Sequence, residues 1–145
     1  MPSLSLTRRV EFSARHRYHR PEWSDAHNEA AFGPLALRTL HEHRYTCDVT
    51  VKGTVDADTG MIADLRALDT LLALHVVRPL DGTTLNDDVP EFSALGLMPT
   101  CENLALIVAQ RLDASLREQS ATFGLQRVTV AEDPTLSATW ERTAG

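Results

Sequence analysis

The sequence predicts an α+β fold, in which strands and helices occupy separate stretches of the chain. Two kinds of evidence carry this prediction. Some segments alternate between apolar and polar side chains, as half-buried strands do, and others repeat apolar residues at helical spacing. Short connections favour antiparallel pairing within each pair of strands. The predicted elements, in order, are strands 4–16 and 41–56, helices 62–80 and 100–119, and strands 125–133 and 136–142.

The first two strands carry the clearest alternation. Phe12, Ala14 and His16 share one phase of strand 4–16, and His41 and His43 share the apolar phase of strand 41–56. Residues 17–40 between them are predicted to be an irregular loop. A loop of this length is uncommon in a compact domain and is often functional.

Capping and turn residues set the bounds of the later elements. Pro79 is predicted to end the first helix, because proline has no backbone N–H to donate to the preceding turn of a helix. Thr100 is a candidate N-cap for the second helix, with Asn103 where a full capping box would carry Glu or Gln. Residues 81–99 are predicted to be a loop, and "EDPT" at 132–135 a hairpin turn.

Composition excludes several classes of function. The 145 residues predict one domain spanning 1–145, and the net charge of −6 argues against binding to nucleic acid or an anionic membrane. No apolar run approaches the roughly 20 residues that span a bilayer. Residues 1–16 show neither the apolar core nor the cleavage site expected of a signal peptide, and two cysteines do not make a disulfide framework. We therefore expect a reduced, cytoplasmic protein.

Histidines at strand ends predict a metal site. His41 and His43 are two residues apart, so they point to the same face of a strand, and His16 lies in the buried phase of the neighbouring strand. Three histidines with one open position are the pattern of catalytic zinc. Chance placement of two histidines on a strand is the alternative. Glu132 lies in phase with the apolar residues of strand 125–133, where an unpaired carboxylate is costly.

Six short motifs occur along the chain in one order. Together they resemble the 6-pyruvoyl-tetrahydropterin synthase and 6-carboxytetrahydropterin synthase family over nearly the whole chain. This resemblance implies the T-fold, a four-stranded antiparallel sheet with two helices on one face. It also implies homo-hexamers, formed as dimers of trimers, with sites at subunit interfaces. The motifs are "FSARH" at 12–16, "LHEHRY" at 40–45, "TGMIADL" at 59–65, "LDGTTLND" at 80–87, "PTCEN" at 99–103 and "AED" at 131–133.

The resemblance also implies roles for particular residues. The metal would be Zn²⁺, held by His16, His41 and His43. Glu132 would anchor the pyrimidine edge of a pterin-like ring, since a carboxylate accepts two charge-assisted hydrogen bonds from such an edge. Thr100 and Glu102 would lie near that ring.

The chain departs from the family where protons are transferred. The family uses a cysteine as general base shortly before the histidine pair, and this chain has Leu35 and Leu37 at the candidate positions. The family also has a histidine that relays the proton, and this chain has Gly82 at that position. Asp81, the other member of the relay, is therefore present without its histidine partner. The family glycine between the zinc histidines is Glu42.

Three residues are candidates for the missing proton chemistry. Cys101 begins a predicted helix, where the N-terminus lowers a thiol pKa. Glu42 is expected to point away from the histidines unless the strand is bulged at its start. Asp81 completes the set as the remaining member of the relay.

The sequence therefore predicts a zinc-dependent lyase or cyclase of this family, acting on a pterin-like or specialised substrate. Zinc would polarise a carbonyl or hydroxyl oxygen of that substrate. One alternative is a non-catalytic member that binds a pterin or assembles with an active paralogue. Another is a pterin synthase with a substitute general base.

Overall fold

The computed structural model describes residues 4–119 and 121–144. All four long strands and both long helices of the sequence prediction are confirmed, with some changes of bounds. The strands are β1 (Leu4–His16), β2 (His41–Gly53), β3 (Thr83–Thr84), β4 (Gly124–Asp133) and β5 (Leu136–Glu141). The helices are α1 (Asp25–Phe32), α2 (Leu65–Leu72), α3 (Arg78–Leu80), α4 (Leu85–Asp88), α5 (Pro90–Ser93) and α6 (Cys101–Glu118).

The sheet contains five strands in the order β3-β1-β2-β4-β5. The predicted four-stranded antiparallel sheet is wrong in this detail, because β3 adds a two-residue parallel strand beside β1. The carboxylate of Asp81 accepts a hydrogen bond from the backbone N–H of Ser13, and the N–H of Gly82 donates to the Ser13 carbonyl. These bonds hold residues 81 and 82 against the edge of β1. β3 was not predicted because two residues are too few to show an alternating apolar pattern.

β1 and β2 pair antiparallel over their whole length, with Leu4 opposite Gly53 and His16 opposite His41. β2 ends at Gly53, three residues before its predicted end. The carboxylate of Asp56 accepts hydrogen bonds from the N–H groups of Asp58 and Thr59. In such a turn the backbone N–H groups bond to a nearby side chain, so this segment leaves the hydrogen-bonded pairing of the sheet.

One face of the sheet is buried under helices and the other is polar. On the buried face Phe12 and Tyr45 stack with ring centroids 5.0 Å apart, and α6 packs over β4 and β5. Side chains on the polar face pair across strands, as Arg9 does with Asp48. A fully buried aliphatic or aromatic side chain contributes about 1.5–3 kcal/mol, so this core supplies most of the stabilisation.

The two long helices follow their predicted signals closely. The Thr100 hydroxyl accepts a hydrogen bond from the N–H of Asn103, which confirms the N-cap of α6. α2 continues through a π-helical turn, Ala73–Val77, into α3. Pro79 lies in α3, so the helix ends one residue after the proline at Leu80. The described residues include no helix long and apolar enough to cross a membrane.

The long segment between β1 and β2 is more ordered than the predicted loop. It contains α1 and a 3₁₀ turn, Leu35–Arg38. Asn28 is fully buried in this segment and donates from Nδ2 to the carbonyls of Arg20 and Ser24, while its Oδ1 accepts from the Arg20 N–H. One side chain therefore holds both ends of a turn. α1 escaped sequence analysis because it has no continuous apolar face.

Replacing Asn28 by alanine is expected to destabilise the fold by about 3 kcal/mol, because the part-buried backbone N–H and carbonyl of Arg20 lose their partner. Urea unfolding would measure the change, and limited proteolysis would report loosening between β1 and β2. Glu29→Ala, on the exposed neighbour in α1, is the matched control. Equal stability of the two variants would contradict the role assigned to Asn28.

Candidate metal centre

Three histidines converge at one end of the sheet. His16 ends β1 and lies opposite His41, the first residue of β2, while His43 follows two residues later on the same face. The ring centroids are 4.5 Å apart for His16 and His41 and 5.0 Å for each of the other two pairs. One nitrogen from each ring lies within 4.8 Å of the others. Strand pairing alone brings together ligands that are 25 residues apart in the printed sequence.

Backbone carbonyls fix the tautomers of two of these rings. Nδ1 of His16 lies 2.8 Å from the carbonyl oxygen of Pro99, and Nδ1 of His41 lies 2.9 Å from that of Thr39. A ring nitrogen this close to a carbonyl must carry a proton, because two lone pairs would repel. Both rings therefore donate from Nδ1 and turn the lone pair of Nε2 toward the cluster. Metal-binding histidines in proteins are oriented in this way.

The electrostatic surroundings keep His16 neutral. The pKa of His16 is lowered to about 4, mainly by burial and to a smaller extent by the nearby His41 and His43, while the hydrogen bond to Pro99 acts in the opposite direction. A neutral imidazole at physiological pH offers a free lone pair, which metal binding requires. Nε2 of His16 is also buried and has no hydrogen-bond partner.

Glu132 brings a carboxylate to the same cluster. Its Oε2 lies 3.2 Å from Nε2 of His43 and 3.6 Å from Nε2 of His16, and the side chain is 10% exposed. The pairing of β4 with β5 shifts register between Ala131 and Asp133, so Glu132 sits on an irregularity that can re-aim a side chain. Oε2 has no partner with hydrogen-bond geometry.

The donor set fits a divalent metal ion. Three imidazole nitrogens, one of them buried and unpaired, converge beside a carboxylate oxygen that is also unpaired. Nε2 of His16 and Oε2 of Glu132 both offer electrons, and neither has a hydrogen-bond partner. A cation held by the three imidazoles would satisfy Nε2 of His16, and three histidines leave a coordination position open. The structure brings the three predicted histidines together, and the binding of a metal by them stays a prediction.

The start of α6 lies against this cluster. The backbone N–H of Glu132 donates to the thiol of Cys101. Burial, followed by the charges of Glu132, Cys101 and Glu102, raises the pKa of Tyr18, whose ring centroid lies 4.9 Å from that of His16. The sequence analysis predicted a lowered pKa for the Cys101 thiol, and this prediction is wrong in direction. Burial, followed by the charge of Glu132, raises the pKa to about 11, since the thiol is enclosed and faces carboxylates. Thr100 uses its hydroxyl to cap the helix.

The other two proton-transfer candidates lie away from the cluster within this chain. Glu42 is exposed and opposite Arg15, on the face of β2 that turns away from the histidines, as strand alternation predicts. Asp81 is exposed, and its carboxylate holds the N–H of Ser13. Leu37 is partly buried in the 3₁₀ turn before β2, and its carbonyl accepts from the N–H of Tyr18. The side chain of Leu35 lies outside the described part of the structure.

Sequence analysis missed the groups that orient His16. Tyr45 is fully buried, and its hydroxyl lies 3.1 Å from Nδ1 of His16. Burial, together with the charge of Glu132, raises the pKa of Tyr45 far above its usual range, so the phenol stays protonated. Pro99 acts through a backbone carbonyl, which no side-chain pattern reveals. Tyr45 lies on the same face of β2 as His43, and this alternation is the one sequence feature that could have placed it near the histidines.

Comparison with known proteins identifies relatives over most of the chain. A family model described as 6-pyruvoyl tetrahydropterin synthase matches residues 5–143. The 6-pyruvoyl tetrahydrobiopterin synthase of Drosophila melanogaster is 35% identical over 122 residues, which are 84% of this chain and 71% of that protein. A putative 6-pyruvoyl tetrahydrobiopterin synthase of Caenorhabditis elegans is 34% identical over 134 residues, 92% of this chain and 91% of that protein.

A solved structure supports the same relationship. The 6-pyruvoyl tetrahydropterin synthase of Caenorhabditis elegans superposes with a TM-score of 0.85 at 32% identity, covering 99% of this chain and 98% of that one. Such agreement over nearly the full length confirms the T-fold. Family match, sequence identity and fold agree, and the chain belongs to the 6-pyruvoyl tetrahydropterin synthase family.

Proposed function

We propose that this chain is a zinc-dependent enzyme of the lyase or cyclase type that acts on a pterin-like or specialised small-molecule substrate. The observation that carries this proposal is the three-histidine cluster, with one buried, unpaired nitrogen and two tautomers fixed by backbone carbonyls. His16, His41 and His43 would hold the zinc. When bound, zinc would polarise a carbonyl or hydroxyl oxygen of the substrate side chain.

Glu132 is proposed to hold the substrate ring. Its carboxylate is largely buried, and an oxygen without a hydrogen-bond partner is suited to accept from an N–H edge. Because that oxygen is within 3.6 Å of two of the imidazoles, a ring bound there would keep its side chain beside the metal. Thr100 and Glu102, at the start of α6, would border the ring.

The reaction is proposed to differ from the family's usual triphosphate elimination. Leucine replaces the general base at either candidate position, and Gly82 replaces the relay histidine. Gly82 has a φ of +75°, which a histidine would adopt only with strain. Cys101 is a weak substitute, because a thiol with a raised pKa stays protonated at neutral pH. Asp81 and Glu42 would reach a substrate only across a subunit interface, as in the hexamer that the resemblance implies.

The same departures favour a second candidate, a non-catalytic member that binds a pterin or assembles with an active paralogue. Without a proton acceptor, the cluster and Glu132 would bind a ligand and leave it unchanged. A pterin synthase with a substitute base is the third possibility. Turnover measured beside binding separates the three.

Metal content is the first test. Purified protein is expected to contain about one zinc per chain by elemental analysis, and His41→Gln should lose most of it, because two remaining imidazoles bind weakly. His75→Gln, on a partly buried histidine of the π turn, is the matched control and should retain the metal. A wild-type protein that takes up no zinc would reject the proposed function.

Turnover is the second test, using zinc-loaded protein and 7,8-dihydroneopterin triphosphate with mass-spectrometric detection. We expect binding without the usual elimination product, because the general base is absent. The family's normal product would instead establish a pterin synthase with a substitute base. If another product forms, His43→Ala should abolish it and Cys101→Ala should not. Binding with no product from any pterin tested would support the non-catalytic alternative.

Glu132 is tested through ligand affinity. Replacement by alanine is expected to weaken pterin binding by about 1.5–3 kcal/mol, the value of a hydrogen bond to a charged group. Isothermal titration of a neopterin with wild-type and variant protein measures the difference. Asp133→Ala, on the exposed neighbour, is the control. Unchanged affinity in the Glu132 variant would reject its role as anchor.

A further inference from the structure

The turn before α6 is closed by two donors on one carbonyl. The side-chain Nδ2 of Asn103 donates to the carbonyl of Met98 at 2.8 Å, and the N–H of Thr100 donates to the same oxygen at 2.8 Å. Asn103 also donates its own backbone N–H to the Thr100 hydroxyl at 3.2 Å. Asn103 is therefore bonded to the residues on both sides of Pro99.

These bonds leave the Pro99 carbonyl little freedom. The proline ring fixes φ of Pro99, and the bond from the Thr100 N–H back to Met98 closes a three-residue turn that restricts ψ. Pro99 is buried, so water does not compete for its carbonyl. The direction of that carbonyl is thus set by the turn, and the turn is held by Asn103.

The Pro99 carbonyl in turn selects the state of a metal ligand. It accepts the Nδ1 proton of His16 at 2.8 Å, which leaves Nε2 as the lone-pair nitrogen and sets the plane of the ring. The opposite tautomer would place a lone pair on Nδ1 against the carbonyl and a proton on the nitrogen that faces the cluster. A chain of three contacts therefore links Asn103 to the metal centre.

We propose that Asn103 is a positioning residue for the metal ligand His16, acting through the Met98–Thr100 turn and the Pro99 carbonyl. This proposal rests on the proposed metal site. The helix does not need the Asn103 amide, because the Thr100 hydroxyl already caps α6. The amide bonds instead to Met98, outside the helix. Within the described residues Asn103 makes no hydrogen bond to the three histidines, so its effect on metal affinity would pass through the turn.

The sharpest variant is Asn103→Asp. Aspartate matches asparagine in size and suits the third position of a helix, where a negative charge favours the helix N-terminus. It cannot donate to the Met98 carbonyl when ionised. The added charge by itself would favour a cation, so a loss of affinity could not come from electrostatics. Asn103→Ala removes the donor without adding charge.

The measurement is zinc affinity by competition with a chromophoric chelator, together with the visible spectrum of the cobalt-substituted protein. Both variants should bind zinc at least about tenfold more weakly, the range seen when partners of metal-ligating histidines are removed. The cobalt spectrum should shift as His16 changes orientation. Thermal unfolding would show that Asn103→Asp remains folded.

Asp64→Ala is the matched control. Asp64 caps α2 by accepting from the Arg66 N–H, so its loss removes a helix cap near the far end of β2. It should lower stability without changing zinc affinity or the cobalt spectrum. Asn103 variants whose zinc affinity equals that of the wild type would overturn the proposal, as would an equal loss in the Asp64 variant.

A second readout does not depend on zinc. In metal-free protein, nitrogen-15 NMR of the imidazoles should show the proton of His16 on Nδ1, and Asn103→Asp should increase the fraction with the proton on Nε2. An unchanged tautomer in the variant would overturn the positioning role. If wild-type protein binds no zinc but the tautomer shifts as expected, the proposed function fails while the hydrogen-bond chain stands.

Discussion

The register in which β1 pairs with β2 is the constraint on which the site depends. It places His16 directly opposite His41 and brings His43 to the same face. A slip of one residue would send each side chain of a strand to the other face. That slip would bury Glu42 and Arg44 and expose Tyr45 and Cys47, so the core that stabilises the fold also fixes the ligand geometry.

The cluster is built on buried electron donors that the chain itself does not satisfy. Polar groups removed from water normally find partners, because leaving one unpaired costs about 1–3 kcal/mol. Here Nε2 of His16 and Oε2 of Glu132 lie buried and 3.6 Å apart without a hydrogen bond. The neighbouring groups are instead paired outward, with Nδ1 of His16 and Nδ1 of His41 bonded to carbonyls. A metal-binding site requires this arrangement, in which one ring nitrogen is held by a hydrogen bond and the other keeps a free lone pair.

We propose that the chain keeps the binding part of the family's site and lacks its proton-transfer part. The histidines and Glu132 converge, whereas leucine and glycine stand where a cysteine and a histidine are expected. Gly82 has a backbone role: its N–H donates to the Ser13 carbonyl in β1, and its positive φ allows the turn. Asp81 likewise holds the edge of the sheet through Ser13. Asp81 and Gly82 thus both have structural roles in this chain.

The sequence by itself determined the four long strands, the two long helices, the α6 cap and the convergence of the three histidines. These features follow from period-two or helical spacing, which depends on local geometry and on one buried face. The tertiary structure alone decided β3, α1, the raised pKa of Cys101 and the orientation of His16. Each of these depends on contacts between distant segments, such as Asp81 with Ser13 or Pro99 with His16. Backbone carbonyls and burial carry no residue signature, so only the folded chain reveals which side chain they control.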